Sequence, residues 1–268
     1  MQQPVDAAVA IVRTRGLEPS ILLMRRAERA GDAWSGHWSL PGGRCEAGDN
    51  DLLDTAIREL HEECGIQLSR GQMIEALPPT LARRRAGRFL LVAPFVFEVD
   101  TELSAVVDGY EAIGTAWLPQ SIVQDWLQHR LMNAPARPPE ELFPSIDLPG
   151  VPLWGFTYRL LVDWLAVAPR QGTAPGFEVA CRILDFLQSH GLTAKTPWYS
   201  MLPRTANELG PLHIARVNGP IPVVAVMDHL SLPGEWVAHV NRIEVRPEFI
   251  RIHGLEFEEY LIESAPWD

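Results

Sequence analysis

The chain has 268 residues, 47% apolar and 21% charged, the balance of a soluble globular protein with room for two domains. Its formal net charge of −11 opposes nonspecific nucleic-acid binding, so an anionic partner has to be met by local cations or by a metal. Cys45, Cys64 and Cys181 form no Cys-x-x-Cys pair, and Met1–Asp6 carries no positive charge ahead of a short apolar run, which together point to a cytoplasmic protein with free thiols and no membrane segment.

In chain order, Ala7–Val12 and Ser20–Met24 are short apolar runs parted by Gly16 and Pro19, the pattern of two buried strands. Arg25–Gly36 is a polar loop, and His37–Leu40 a strand ended by Pro41-Gly42-Gly43. A helix is predicted from Asn50 or Asp51 to Cys64, stopped by Gly65. Leu53, Ala56, Ile57, Leu60 and Cys64 recur with helical spacing and form its buried stripe, while Glu59, Glu62 and Glu63 project together from the opposing side. Phe89–Val99 is a strand region interrupted by Pro94, and Thr115–Pro119 is a further strand. Gln120–Leu131 reads as a helix and Pro135–Pro152 as irregular chain, after which Val151–Tyr158 leads into an amphipathic helix through Leu161, Trp164 and Leu165.

Clustered glutamates usually belong to a solvated helix face. Here they come with a glycine turn at Gly42-Gly43, Asp49, and the run Arg58-Glu59-Leu60-His61-Glu62-Glu63-Cys64-Gly65. Three carboxylates on one face repel unless a cation compensates them, and hard oxygen donors suit Mg²⁺ or Mn²⁺. The stretch resembles the box of Nudix hydrolases, a glycine, five residues, Glu, seven residues and Arg-Glu-apolar-any-Glu-Glu-any-Gly. Two departures stand out: Asp49 occupies the first glutamate position, and eight residues rather than seven separate it from Arg58. An extra residue and an Asp at that point also occur in the coenzyme A pyrophosphatase branch, and Trp154-Gly155-Phe156-Thr157 resembles that branch again. The resemblance covers roughly residues 5 to 168.

It implies an α/β fold, the Nudix α/β/α sandwich with a mixed sheet, and metal-dependent pyrophosphohydrolase activity. By the same carry-over, Glu59, Glu62 and Glu63 hold the metals or orient the attacking water, and the Gly42 carbonyl completes a metal shell. Gly43 lets the backbone approach the substrate, and Arg58 fixes the carboxylates. Asp49 stands either as a neighbour of the helix cap or as an auxiliary carboxylate. Glu111, six residues before Trp117, is the candidate base outside the box.

The branch also carries Leu-Leu-Thr-any-Arg-Ser, a second Arg, and Phe-Pro-Gly-Gly. This chain has Leu22-Leu23-Met24-Arg25-Arg26-Ala27, then Arg29 and Leu40-Pro41-Gly42-Gly43, so the frame survives without its Thr, Ser and Phe. Arg26 and Arg29 are placed to meet the 3′-phosphate and diphosphate of coenzyme A, with Arg44 beside them in the substrate-binding set. Arg83, Arg84, Arg85 and Arg88 form a second basic cluster, either a solvated hairpin tip or a phosphate contact. Coenzyme A or an acyl derivative is the leading substrate. A nucleotide sugar, a dinucleotide or a nucleoside triphosphate is the runner-up, and a noncatalytic nucleotide sensor is the rival from another class, distinguished by turnover with metal.

Ala168–Gly176, with two prolines and two glycines, is the predicted boundary between a hydrolase domain, residues 1–170, and a second domain, residues 171–268. Beyond it, a helix over Phe177–His190 and strands at Leu212–Val217, Ile221–Met227, Trp236–Val245 and Phe249–His253 suggest a smaller α+β domain with an antiparallel sheet. It resembles no family. His213, His229, His239 and His253 are scattered among apolar residues and read as core or surface histidines. Such a domain could serve as an interaction module, with a homodimer as one assembly it would allow.

Overall fold

Eight strands build one mixed sheet: β1 (Ala7–Thr14), β2 (Ser20–Arg26), β3 (Trp38–Ser39), β4 (Gly42–Arg44), β5 (Met73–Ala76), β6 (Thr80–Arg85), β7 (Arg88–Val99) and β8 (Ala112–Pro119). The structure is a computed structural model that describes residues 5–30, 34–85, 88–107, 109–134, 137–165, 182–183, 185–192, 199–201, 212–217, 219–230, 237 and 240–254. They divide into two compact units, one of Met1–Gln124 with Leu148–Leu165 and the other of Asp125–Asp147 with Ala166–Asp268.

In the first unit, β1 runs parallel to β7 from Ala7 opposite Val92 to Thr14 opposite Val99, and the other pairings are antiparallel. Pro94 is tolerated inside β7 because β6 pairs only as far as Val92 and β5 begins at Phe95, so the missing N–H falls between the two partners. β1 and β2 meet at Arg13 and Ile21 and then part. The opening is bridged by the chain from β3, paired to β2, to β4, paired to β1. The glycine turn therefore crosses the gap between the two strands.

Helix α1 (Leu52–Cys64) packs over this sheet. Asp51 caps its start by accepting the Asp54 N–H at 2.9 Å, and Gly65 ends it with φ of +66°. Leu53, Ala56, Leu60 and Cys64 bury against Ala8, Ala10, Val12, Leu22, Met24 and Phe97. Each fully buried leucine contributes about 1.5–3 kcal/mol of transfer free energy. Val9, Ile11, Ile21, Leu23 and Val96, which alternate with that set, are buried as well, so both faces of the sheet are covered, as the sandwich class requires.

The chain after β7 returns over the C-terminal end of α1. Val106 donates its N–H to the Cys64 carbonyl at 2.8 Å, and a Cβ on Gly65 would meet the Val106 carbonyl at 2.8 Å. A turn in which Gly109 N–H reaches the Ala112 carbonyl at 3.0 Å then delivers Glu111, whose own carbonyl accepts the Ala27 N–H at 2.9 Å.

Several sequence expectations are corrected further along. Helix α2 is only Gln120–Gln124. The Asp125 carboxylate takes the Leu127 N–H and the Gln128 side-chain amide, each at 3.0 Å, which sets up a 3₁₀ turn and then β9 (His129–Asn133) instead of continued helix. Within the stretch expected to be irregular lies β10 (Glu141–Ile146), which carries Pro144 opposite Leu131 while the later strand Val240–Val245 pairs only with Glu141 and Leu142. β11 (Leu153–Trp154) leads into α3 (Gly155–Trp164), which buries Tyr158, Leu160 and Leu161 in the first unit.

The second unit continues with β12 (Tyr199–Met201), β13 (Leu212–Arg216), β14 (Val240–Val245) and β15 (Phe249–Gly254). Its antiparallel strands run in the order β9, β10, β14, β15, β13, β12. Residues Val223–His229 are helical, not a strand: Pro222 provides the cap and its carbonyl accepts the Val226 N–H at 3.2 Å. Leu142, Ile183, Phe186, Leu187, Val226, Ile243, Ile250 and Ile252 share one core, and His253 is buried with Nε2 3.8 Å from a Glu244 carboxylate oxygen. Residues 125–147 thus belong with the second unit, ahead of the boundary read at 170/171, because β10 pairs with β14. The junction Ala168–Gly176 itself, and Cys181 and His239, lie outside the described residues. No helix among the described residues is long and apolar enough to cross a membrane.

Candidate active site

The carboxylates of α1 face the glycine turn, and the pairing of β4 with β1 fixes their distance. A Cβ on Gly43 would stand 2.2 Å from Glu59 Oε1, so only glycine leaves room for that carboxylate. Gly42 is held more rigidly still: a Cβ there would meet the Ala8 carbonyl at 2.3 Å and Val9 Cα at 2.7 Å. The Gly42 N–H donates to Glu63 Oε2 at 2.8 Å. Glu63 is 4% exposed, which corrects the expectation that all three glutamates line an open helix face; Glu62 is exposed, and Glu63 is covered by the turn.

Arg58 organises the rest. Its guanidinium makes bonds to Asp49 with Nε and Nη2 at 3.0 and 3.1 Å, to Glu59 and Glu62 with Nη1 at 3.0 and 2.8 Å, and to the Arg44 carbonyl with Nη2 at 2.9 Å. Every nitrogen is used. The sequence left Asp49 between two roles, and the geometry shows a third: it is a brace for the loop. Asp51 is the cap, whereas Asp49 accepts the Glu46 N–H and the Thr55 hydroxyl, each at 2.9 Å, beside Arg58. The only sequence signal for this was an Asp nine residues ahead of an Arg, which fits no general spacing rule.

Electrostatics divide the carboxylates into two kinds. Hydrogen bonds from Arg58 hold Asp49 down to about 2, despite its burial. Burial pushes Glu63 up to about 8, helped by the charges of Glu59 and Glu111 and opposed by the Gly42 N–H and Arg26. Burial also raises Glu59, against the pull of Arg58 and with Glu62 and Glu111 adding. Glu111, exposed in the loop from β7 to β8, adds its charge to the upward push on both Glu59 and Glu63. Burial drives the Cys64 thiol up to about 12, which leaves it a packing group and no nucleophile.

Of the predicted cations, Arg26 acts on Glu63. Arg29 donates from Nη2 to the Tyr110 carbonyl at 2.7 Å with its guanidinium carbon 4.5 Å from the centre of the Tyr110 ring. Arg44 is exposed at the end of β4. The side chains of Arg83, Arg84, Arg85 and Arg88 lie outside the described residues. Among the described residues no three His, Cys, Asp or Glu side chains form a ready-made metal site, since Arg58 draws Glu59 and Glu62 while Glu63 leans on the backbone. The donor chemistry nevertheless fits a hard divalent cation: Glu59, Glu62 and Glu63 stand within five residues of α1 beside the glycine turn, their carboxylates keep lone pairs beyond the bonds they accept, and Glu59 and Glu63 are held above their ordinary range by burial first and by neighbouring carboxylates second.

The NUDIX domain model matches residues 3–138, half of the chain. The chain belongs to the Nudix family. A protein of Schizosaccharomyces pombe, C14C4.10c, is 35% identical over 105 residues, which make up 38% of this chain and 32% of that protein. The mitochondrial coenzyme A diphosphatase NUDT8 of Mus musculus is 34% identical over 86 residues, 31% of this chain and 40% of that protein. The chain therefore spans about a third of the length of the curated relatives it matches. Among solved structures, the Nudix hydrolase RenU of M. smegmatis is 19% identical, covering 63% of this chain and 89% of that one with a TM-score of 0.40. All the Nudix-box residues discussed above fall within the matched segment, whereas α3 of the first unit lies beyond it.

Proposed function

We propose that this Nudix protein is a pyrophosphohydrolase that cleaves the diphosphate linkage of a nucleoside-diphosphate derivative with Mg²⁺ or Mn²⁺, and that coenzyme A or an acyl-coenzyme A is its substrate. The observation that carries the reading is Glu63, a nearly fully buried carboxyl lifted to about 8 between Glu59, Glu111 and the glycine turn. Arg26 and the Gly42 N–H offset only part of the cost of burying that carboxylate, and a divalent cation is the group that would relieve the rest.

Glu59, Glu62 and Glu63 would hold the metal, with the Gly42 carbonyl as a further oxygen donor. When bound, the metal neutralises charge on the bridging phosphates and acidifies a water. The chain's own residues do the remainder. Arg58 keeps Glu59 and Glu62 in position and is spent on that task, since each of its nitrogens already has a partner. Glu111 accepts the proton of the attacking water. Gly43 leaves space for the diphosphate to approach the backbone, and Arg26, Arg29 and Arg44 supply positive charge at the rim of an otherwise acidic chain.

The coenzyme A assignment draws support from NUDT8, named as a coenzyme A diphosphatase, and from Arg26 and the Trp154-Gly155-Phe156-Thr157 step. Met24, Ala27 and Leu40, standing where that branch has Thr, Ser and Phe, favour a second reading in which a nucleotide sugar or dinucleotide is cleaved instead. Incubation of the full chain with coenzyme A and either metal, followed by mass spectrometry, separates the two. The expected products are 4′-phosphopantetheine and 3′,5′-adenosine diphosphate; intact coenzyme A beside a cleaved nucleotide sugar selects the second reading, and no cleavage of any diphosphate selects a noncatalytic sensor.

A further inference from the structure

We infer that Tyr110 is a stacking platform for the nucleobase of the substrate, an inference that rests on the diphosphate reading above and adds a base-binding residue to it. Tyr110 is 71% exposed, although it precedes Glu111, whose charge reaches the buried Glu63 and the partly buried Glu59. An aromatic ring of that size ordinarily buries most of its surface, so its exposure at the rim of a charged site has to be explained.

Its geometry is fixed from three directions. Gly109, with φ of +75°, turns the chain just before it and donates to the Ala112 carbonyl at 3.0 Å. The next residue is tied to the chain just past β2, where Ala27 N–H meets the Glu111 carbonyl at 2.9 Å. Arg29, just beyond β2, grips the Tyr110 carbonyl at 2.7 Å and lays its guanidinium over the ring at 4.5 Å. The ring is thus held in place with a planar cation beside it. A purine or pyrimidine has a π-face that stacks on tyrosine and on a guanidinium alike, and such stacking tolerates any base. One residue away from Glu111, this surface would flank the carboxylates whose metal meets the diphosphate, and it offers the base the apolar contact that a diphosphate cannot use. The chemical class of the ligand part is a planar heteroaromatic base.

Calorimetric titration of the full chain and of Tyr110→Ala and Tyr110→Phe with ADP and with inorganic pyrophosphate, each in the presence of Mg²⁺, tests this. Tyr110→Ala is expected to weaken ADP binding by about tenfold or more while pyrophosphate binding stays within about twofold, and Tyr110→Phe, which keeps the ring, to hold ADP within about threefold of the unaltered chain. Circular dichroism accompanies each variant. Equal ADP affinity for Tyr110→Ala and the unaltered chain overturns the platform and leaves the diphosphate reading intact. So does a loss that strikes ADP and pyrophosphate in the same proportion. An unaltered chain that binds neither compound overturns the diphosphate reading and the platform with it.

Discussion

Arg58 meets Asp49 through both prongs of its guanidinium, Nε at 3.0 Å from Oδ1 and Nη2 at 3.1 Å from Oδ2. The same guanidinium holds Glu59 and Glu62, so the loop after the glycine turn and the carboxylate row of α1 are aligned by one cation.

Replacing Arg58 with lysine should not be conservative, because a single ammonium cannot span Asp49, Glu59 and Glu62 together. Arg58→Ala leaves Asp49, whose side chain is 5% exposed, without its counter-charge and should cost on the order of 3 kcal/mol in urea denaturation. The pH dependence stems from the same bond. Asp49 sits below its ordinary 3.8, at about 2, so its contribution to stability is complete above 3.8 and is lost as pH falls toward 2. Arg58→Ala should lack that acid limb; an unchanged acid transition would detach Asp49 from Arg58.

Glu63 titrates with the opposite sign. Its folded-state value of about 8 lies above the ordinary 4.5, so the contribution it makes to stability is whole below 4.5 and is lost as pH rises through about 8. In chelator, the melting temperature of the unaltered chain should fall relative to Glu63→Gln between pH 5 and about 9. Mg²⁺ should restore the unaltered chain at the alkaline end and do nothing for the variant, whose turnover should drop by about 10²-fold or more. Equal rescue of both proteins would remove Glu63 from the metal set.

The two glycines should fail in different ways. Alanine at Gly42 collides with the backbone of Ala8 and Val9, so Gly42→Ala should lower the melting point and weaken the β1–β4 pairing. At Gly43 the new methyl meets only the flexible end of Glu59. Gly43→Ala should therefore fold nearly normally, within about 1 kcal/mol, and lose activity through a displaced carboxylate. Matching stability losses for the two variants would contradict the assigned geometry.

Cutting the chain after Arg170 should not release an undisturbed domain. β10 would keep Leu142, fully buried in the second unit's core, while losing β14, β15 and the helix that cover it. Such a fragment should self-associate in size-exclusion chromatography and bind an apolar dye. A monodisperse fragment with the melting point of the full chain would show that residues 125–147 stand without the strands of the C-terminal part.

Much of the first unit was legible because its signals are local. The capped helix, its apolar stripe and the continuous runs of β1 and β2 each state their structure within a few residues. The failures were of two physical kinds. Short elements between breakers, such as β10 with Pro144, obtain their stability from partners far along the chain, and nothing nearby announces it. The valine-rich stretch at 223–229 has strand composition, but a proline cap and packing of Val226 in the core make it helical. At the site, residue types were readable and burial was not: Glu63 and Glu62 are adjacent glutamates, and only the fold covers one of them. Arg29 and Tyr110 lie far apart in sequence, so their stacking could not be foreseen.

The hitch between Val106 and the end of α1 bears on how this loop can vary in length. Two points are pinned, Val106 at the helix terminus and Glu111 beside Ala27, and only four positions of the chain separate them. An insertion there would swing Glu111 away from the carboxylates, whereas the exposed pair Thr101 and Glu102, ahead of the Leu103 carbonyl that accepts the Trp117 indole N–H at 3.2 Å, can lengthen while the pinned end stays put. Among related chains, length differences in this loop should accordingly accumulate ahead of the Val106 position and be scarce behind it.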